Sequence, residues 1–543
     1  MKKSLIIGTG AIIILAGAIW ISSNRNAVFE KQQTGAATSF SGTFASDITG
    51  LAQAKSPEIV ELKNGDTYAL TASIVKKNIN GQTLKMLAYN GSIPGPTIKV
   101  QQGAEITLNF TNDTDVETTI HSHGVRLENK FDGVPDVTQK AVGVGESFVY
   151  KIKFPDEGMY WYHPHIREDY AQELGLYGNY WVVPRKQNYW SPVNREIPLF
   201  LDDILIENGA IVSFNKKSAD HTLMGRFGNM MLVNGEADYV LNAKQGEVIR
   251  FYLTNAANTR TFNVAIPGAQ MKRVGGDSGK YEKETYTENV VLSPSERAIV
   301  EVIFSKSGTQ QLTHKTPAKT YTLGSIEISK EQIAESFEKE FLTLRTNSDI
   351  SASVASLRSY IDAPAAKKLK LSLSMKSPAS AAETGGNQHM MRGGTIMDNP
   401  VMGMDNPQPI EWEDDMGRKN RDATVDTLQW KIIDENTGLG NEDIDWRFKV
   451  GEKVKIKIFN DPKSLHPMQH PIHLHGQRFL VLSEDGKKND NLAWKDIVLI
   501  PNGATIELLV DMVNPGEWMA HCHIAEHLEA GMMFSFTVAL KNR

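Results

Sequence analysis

The sequence predicts an all-β chain made of three related β-sandwich domains, and three observations carry that prediction. First, 543 residues exceed one ordinary domain; at about 150 residues each, two to four are expected. Second, short runs alternate apolar and polar residues and are broken by Gly, Pro and Asn, as in Thr97–Val100 and Lys453–Ile458. Third, one strand motif occurs three times. Gly103–Asn112, Gly246–Asn255 and Gly451–Asn460 each open on a Gly turn, alternate, and close on an Asn. An Asn-Gly pair stands upstream of the first two copies, at Asn90-Gly91 and Asn234-Gly235.

Taken in order, the chain begins with Lys2 and Lys3 ahead of an apolar run from Leu5 to Ile21, the layout of an export signal. The run is long for a cleaved signal and near the lower limit for a membrane span, so residues 1–23 read equally as signal peptide or membrane anchor. A core helix is the third reading. Neither a twin-arginine pair nor a lipobox cysteine accompanies the run. Both main readings place the body outside the cytoplasm, at the periplasmic or extracellular face of the envelope, free or anchored. Residues 24–56, rich in Ser, Thr, Ala and Gly, read as a flexible tether.

The first domain is expected over 57–186 and the second over 190–329. The gap between the second and third motif copies is longer than the first gap by about 60 residues, which calls for an insert. Lys330–Leu344 is charged and helix-like, and Ala352–Ile361 reads as a second helix, giving a helical linker over 330–365. Pro378–Pro409 is rich in Gly, Asn, Pro and Met and reads as a loop inside the third domain, 366–543, with its Met-rich part at about 385–416.

Composition excludes more than it identifies. Apolar residues make up 41% and charged residues 22%, with net charge −6, so a nucleic-acid-binding role has no electrostatic support. The single cysteine, Cys522, rules out intramolecular disulfides and a zinc ribbon. No protein partner is implied.

Chemistry concentrates in four clusters. They are His121-Ser-His123, His163-Pro-His165, His470-Pro-Ile-His473-Leu-His475, and His521-Cys522-His523 followed by His527 and Met532. On a strand, residues i and i+2 face the same way, so each His-x-His pair offers two imidazoles to one side. Four pairs offer eight, too many for one metal, and a metal cluster follows. Imidazole suits copper, zinc, iron or nickel, so these eight leave the metal open. Cys522 narrows it. A thiolate with two imidazoles (His470 and His527 are free for this) and a weak thioether, Met532, is the ligand set of a blue-copper centre. Cys522 also lies covalently between His521 and His523, which gives electrons a route from thiolate to cluster.

These clusters resemble the four copper-binding motifs of the multicopper oxidases, the family of laccases and cuprous oxidases. The resemblance runs from about Asn90 onward and includes Gly91–Thr97, Asp132–Pro135, Gly158–His163 and Gly175–Gly178. It implies three cupredoxin-like Greek-key domains, four copper ions and dioxygen as co-substrate. It further implies His470, Cys522 and His527 with axial Met532 at a type 1 copper, and His121 and His473 at a type 2 copper. His123, His163 and His523 would hold one type 3 copper, and His165, His475 and His521 the other. The implied reaction is four one-electron oxidations coupled to reduction of dioxygen to two waters. In related enzymes an acid in the Asp-Gly motif lies near the type 2 copper, which makes Asp132 the candidate proton donor; a turn-forming Asp before Gly133 is the plainer reading. Many bacterial relatives carry an acid directly after the type 1 histidine, and here that residue is Leu528. Glu526 and Glu529 read as solvated surface residues.

The reductant is a small molecule or a metal ion. Six of the 19 methionines fall between Met390 and Met416, and thioether is a soft ligand suited to Cu(I). Cuprous oxidases carry a Met-rich segment in the third domain, which this one resembles. That resemblance points to Met390, Met391, Met397, Met402 and Met404 as Cu(I) handlers, as part of copper tolerance. Met468 and His466 take the places where those enzymes carry substrate-copper ligands, with His466 replacing a carboxylate. A laccase activity on phenols and aromatic amines, through a partly exposed edge of His470, is the second reading. Fe(II) or Mn(II) oxidation and a non-catalytic envelope scaffold are the remaining alternatives.

Overall fold

The computed structural model describes residues 44–376 and 408–541. The signal or anchor expected over 1–23 lies outside these residues, as do Met390, Met391, Met397, Met402 and Met404. Among the described residues no helix is long and apolar enough to cross a membrane.

The sheets come in pairs along the chain. Four- and five-stranded sheets cover 59–183, six- and five-stranded sheets cover 195–329, and seven- and five-stranded sheets cover 367–539. Each pair encloses its own apolar interior. In the first, Tyr89 of one sheet meets Tyr162 of the other at 5.2 Å between ring centres. In the second, Leu199, Leu253 and Phe251 pack against Leu241, Val264 and Leu312. In the third, Leu371, Ile456 and Leu508 pack against Ile472, Trp518 and Phe534. The fold is therefore three cupredoxin-like β-sandwiches.

The threefold sequence motif is one structural unit used three times. Gly103, Gly246 and Gly451 all have positive φ, which glycine adopts without strain, and each turns the chain into a strand: Glu105–Asp113, Val248–Asn255 and Lys453–Asn460. Every copy pairs parallel with one neighbour and antiparallel with the next. The neighbours are Thr67–Ile79 and Ser147–Lys153, then Arg195–Ile204 and Arg297–Ile303, then Lys367–Met375 and Thr505–Asp511. The closing Asn is buried each time, and its side-chain amide donates to loop carbonyls. Asn112 reaches Val116 and Val142, Asn255 reaches Arg260 and Leu292, and Asn460 reaches Met468 and Ile500, at 2.7–3.1 Å. A buried carbonyl needs such a donor, so the Asn pins a crossing loop in all three sandwiches.

Two expectations are corrected. The end of the supposed tether is ordered: Ala54 and Lys55 N–H groups donate to Lys76 and Gly91 carbonyls, and the Phe44 ring lies 4.2 Å from Tyr170. The helix expected over Lys330–Leu344 shortens to Glu338–Leu342. The residues before it are tied to the second sandwich instead, by the Lys244–Glu331 ion pair and by Asn194 donating to the Glu335 carbonyl. Ser348–Val354 forms the second helix and continues as a 3-10 turn, Ala355–Tyr360.

Candidate metal centre

Of the four His-x-His pairs, only His121 and His123 share a strand; the other pairs straddle strand ends, with His163, His473 and His521 on strands and His165, His475 and His523 in the turns just past them. His121–His123 runs antiparallel to Gly158–His163, with His121 opposite His163. His470–Leu474 runs antiparallel to Gly516–Cys522, with His473 opposite His521 and Ile472 opposite Cys522. Each pairing brings two sequence clusters together, one pairing in the first sandwich and one in the third. The two then interleave: the rings of His121 and His475 stack at 4.1 Å, and those of His123 and His473 at 3.7 Å.

Five groups of ligand atoms converge, each within 4.8 Å. They are His121, His123 and His473; His123, His163 and His523; His165, His475 and His521; His470, Cys522 and His527; and His121, Asp132 and His475. The second sandwich contributes to none of them.

The ring nitrogens show what the cage is for. Nδ1 of His121, His163, His473 and His521 donates to the carbonyls of Asp132, Pro164, Asp496 and Cys522 at 2.7–2.8 Å. His475 Nδ1 meets the Asp132 carboxylate at 2.8 Å. The opposite nitrogens of His121, His163 and His473, together with His165 Nε2, His123 Nδ1 and both nitrogens of His523, are buried without a hydrogen-bond partner. An unpaired buried polar atom costs about 1–3 kcal/mol, so a group of them is accounted for by a ligand they share. Burial, then the neighbouring imidazoles, hold His123, His163, His165, His473, His475 and His523 well below the usual imidazole range. Neutral imidazole is the form that binds metal.

The thiolate site differs. Cys522 Sγ lies 3.7 Å from His470 Nδ1 and 3.8 Å from His527 Nδ1. Met532 is buried in the same core and is tied through its backbone to both Cys522 and His527. Trp430 covers the two histidines, its ring centre 4.2 Å from His527 and 4.8 Å from His470. Burial pushes the Cys522 thiol far above its ordinary range and His470 down to about 3. A proton is therefore hard to remove from this sulfur unless a cation replaces it.

Several expectations meet the structure here. Asp132 is buried between His121 and His475, and it also closes the turn before Gly133, whose φ is +82°. The expected partly exposed edge of His470 is corrected: it is 1% exposed and packed against the Trp430 ring, while its neighbour Gln469 clamps Glu411 by two backbone hydrogen bonds. Glu526 is also corrected. It is 1% exposed, accepts from Thr259, and burial raises it to about 8; Glu529 is half-buried rather than solvated. The reason is that the short helix Ala525–Glu529 packs against Glu168–Ala171 of the first sandwich. Leu528 packs on Val134 and Met519, so that position faces an apolar wall. Met468 and His466 are both fully buried, and neither ring nitrogen of His466 has a partner.

Sequence reasoning missed Glu168, Asp496, Arg297 and Glu411. Glu168 stands 3.5 Å from His165 Nδ1 and 4.0 Å from His163 Nδ1. Burial, then Glu529, Asp169 and Glu526, raise it well above the carboxylate range. Its spacing three residues after His165 was the available signal. The other three carry none, because their partners are remote in sequence.

Comparison with known proteins matches the description "Multicopper oxidase" at residues 72–187, 185–311 and 410–542. The chain is similar to the multicopper oxidase mco of Staphylococcus aureus, 27% identical over 88% of this chain and 90% of that protein. It is similar to a copper resistance protein A homolog of Pseudomonas syringae pv. tomato, 25% identical over 86% and 92% of the two chains. Among solved structures, a Campylobacter jejuni multicopper oxidase described as a metallo-oxidase shares the fold with a TM-score of 0.65 at 23% identity, covering 93% of this chain and all of that one.

Proposed function

This chain belongs to the multicopper oxidase family, whose members are copper-dependent oxidoreductases, and from that premise we propose that it oxidises a metal ion, Cu(I) foremost, at the expense of dioxygen outside the cytoplasm. His470, Cys522, His527 and Met532 would hold the type 1 copper, and His121 and His473 the type 2 copper. His123, His163 and His523, and His165, His475 and His521, would hold the type 3 pair. Copper so held supplies one-electron chemistry, four substrate oxidations being coupled to reduction of dioxygen to two waters.

The protein's own residues do the rest. The backbone from Cys522 to His521 and His523 joins the thiolate site to both type 3 trios through single peptide links. Asp132 borders the cage at His121 and His475 and Glu168 at His163 and His165, and each has a carboxylate oxygen without a hydrogen-bond partner, Asp132 Oδ1 and Glu168 Oε1, where a proton could be held. Glu168 would thus stand in for the acid that Leu528 lacks.

The observation that carries the substrate reading is His466. It is 0% exposed, both nitrogens lack partners, and it lies close enough to depress His470. Glu411, bonded to Gln469 next to His470 in the chain, is 7% exposed with a bare Oε1. A buried imidazole, a thioether (Met468) and a carboxylate beside the type 1 ligands suit a small cation better than a phenol, which needs an open ring edge. The relatives named for copper resistance and metallo-oxidase activity support the same reading. The carboxylate leaves Fe(II) as the second metal. Export rests on the basic and apolar amino-terminal sequence.

The test is oxygen uptake with Cu(I), Fe(II) and dimethoxyphenol, for the full chain, for His466→Phe and for a chain lacking 385–410. Loss of Cu(I) turnover with phenol turnover retained supports the reading. Equal Cu(I) turnover in all three removes it.

A further inference from the structure

The second sandwich holds none of the candidate ligands, yet one of its side chains reaches the cage. Arg297 opens the strand Arg297–Ile303 and is fully buried. Its guanidinium forks onto the Asp496 carboxylate of the third sandwich, Nη1 to Oδ1 at 2.8 Å and Nη2 to Oδ2. The same guanidinium donates to the Met159 and Ser295 carbonyls at 3.0 and 2.8 Å, so its plane is fixed from three directions. Met159 belongs to the first-sandwich strand that carries His163.

Asp496 in turn touches two cage histidines. Its Oδ1 accepts from His123 Nε2 at 3.0 Å, and its backbone carbonyl accepts from His473 Nδ1 at 2.7 Å. These two rings are the pair stacked at 3.7 Å. His123 is thereby set apart. In His121, His163, His473, His475 and His521 it is Nδ1 that meets an oxygen. In His123 it is Nε2, and Nδ1 is the nitrogen left bare. Gly124 makes room for this arrangement. It sits at φ +80°, and a Cβ there would collide with the Asp496 carboxylate and crowd the Arg297 fork.

We propose that Arg297 is a positioning residue for the trinuclear centre: by fixing Asp496 it fixes the tautomer and plane of His123, so that this one imidazole offers Nδ1 to a type 3 copper. The ligandless sandwich therefore acts as a clamp on the site formed by the other two. The physical cause is direct. A carboxylate held by two parallel charge-assisted hydrogen bonds cannot rotate, and an imidazole bonded to it keeps one nitrogen protonated and the other free. The proposal rests on His123 being a type 3 ligand.

Removing Arg297 alone would strand a buried carboxylate, so the decisive variant is Arg297→Gln/Asp496→Asn, which removes both charges and keeps amides that can pair. It is measured beside the unsubstituted chain and Arg297→Lys, which keeps the charge but not the fork. The readouts are copper per chain by elemental analysis, retention against a chelator, the electron paramagnetic resonance of the type 3 pair, and the blue absorption of the thiolate site. The expected result in both variants is an unchanged blue absorption, copper retention at the cage weakened about 10–100-fold, and a type 3 pair made visible by resonance. A double variant with the full copper complement, wild-type retention and a silent pair overturns the proposal. If the unsubstituted chain binds copper only at the thiolate site, it is the trinuclear reading that fails, and the proposal falls with it.

Discussion

The thiolate site and the histidine cage are neighbours along the chain, but they are built on opposite principles. The thiolate site lies inside one sandwich. Cys522, His527 and Met532 come from one strand–helix–strand turn, His470 from the adjoining strand, and Trp430 seals them. The cage lies between two sandwiches and closes only when rings from each interleave. Its outer hydrogen bonds come from all three, through Asp132, Asp496 and Arg297. A site within one core shares that core's stability, whereas a site across an interface is only as secure as the interface.

The largest expected effect breaks the link between the two. Cys522→Ser should abolish the blue absorption and bring oxygen consumption to background while the cage keeps its copper. Substantial turnover in that variant would separate the thiolate site from catalysis.

Next comes the cage alone. Asp132→Asn and Glu168→Gln should each slow reoxidation by about 10²-fold or more, with bleaching of the blue absorption by a reductant unchanged in stopped flow. Slowed bleaching would show that either carboxylate acts on electron entry instead. Mild denaturant should likewise release cage copper before the blue absorption fades; the reverse order would contradict the interface argument.

A smaller effect concerns pH at Glu411. Burial, then Asp415, raises Glu411 to about 7. Above that pH it is a carboxylate and can hold a cation; below it is neutral. The apparent KM for Cu(I) should therefore rise about tenfold per pH unit as pH falls below 7, and Glu411→Gln should erase that inflection. The KM for a phenol should show no such step. The same shift makes the carboxyl favour the folded state at acid pH, a contribution lost as pH rises from the unfolded value toward about 7. The smallest change is Met532→Leu. If Met532 is a weak donor to copper held at the thiolate site, removing it should raise that copper's potential with turnover altered only a few-fold, and an unchanged potential by redox titration would remove Met532 from the proposed ligands.

The sequence by itself determined the ligand types and their local facing. Period-two alternation sends His121 and His123 to one side of a strand, and Cys522 stands between His521 and His523 whatever the rest of the chain does. It also determined the threefold unit, because a turn glycine, an alternating strand and a buried loop-pinning Asn are all local features. It misjudged exposure. Glu526 was expected in solvent and His470 with a partly exposed edge, and both are buried against residues remote in sequence, Thr259 and Trp430.

Only the tertiary structure decided which clusters meet, which nitrogen of each ring stays free, and which residues stand behind them. Asp496 lies 373 residues from His123, and Arg297 lies 199 residues from Asp496. No periodicity links residues so far apart. Their contact exists because three sandwiches pack around one buried junction, where a charge persists only if another fold unit supplies its partner.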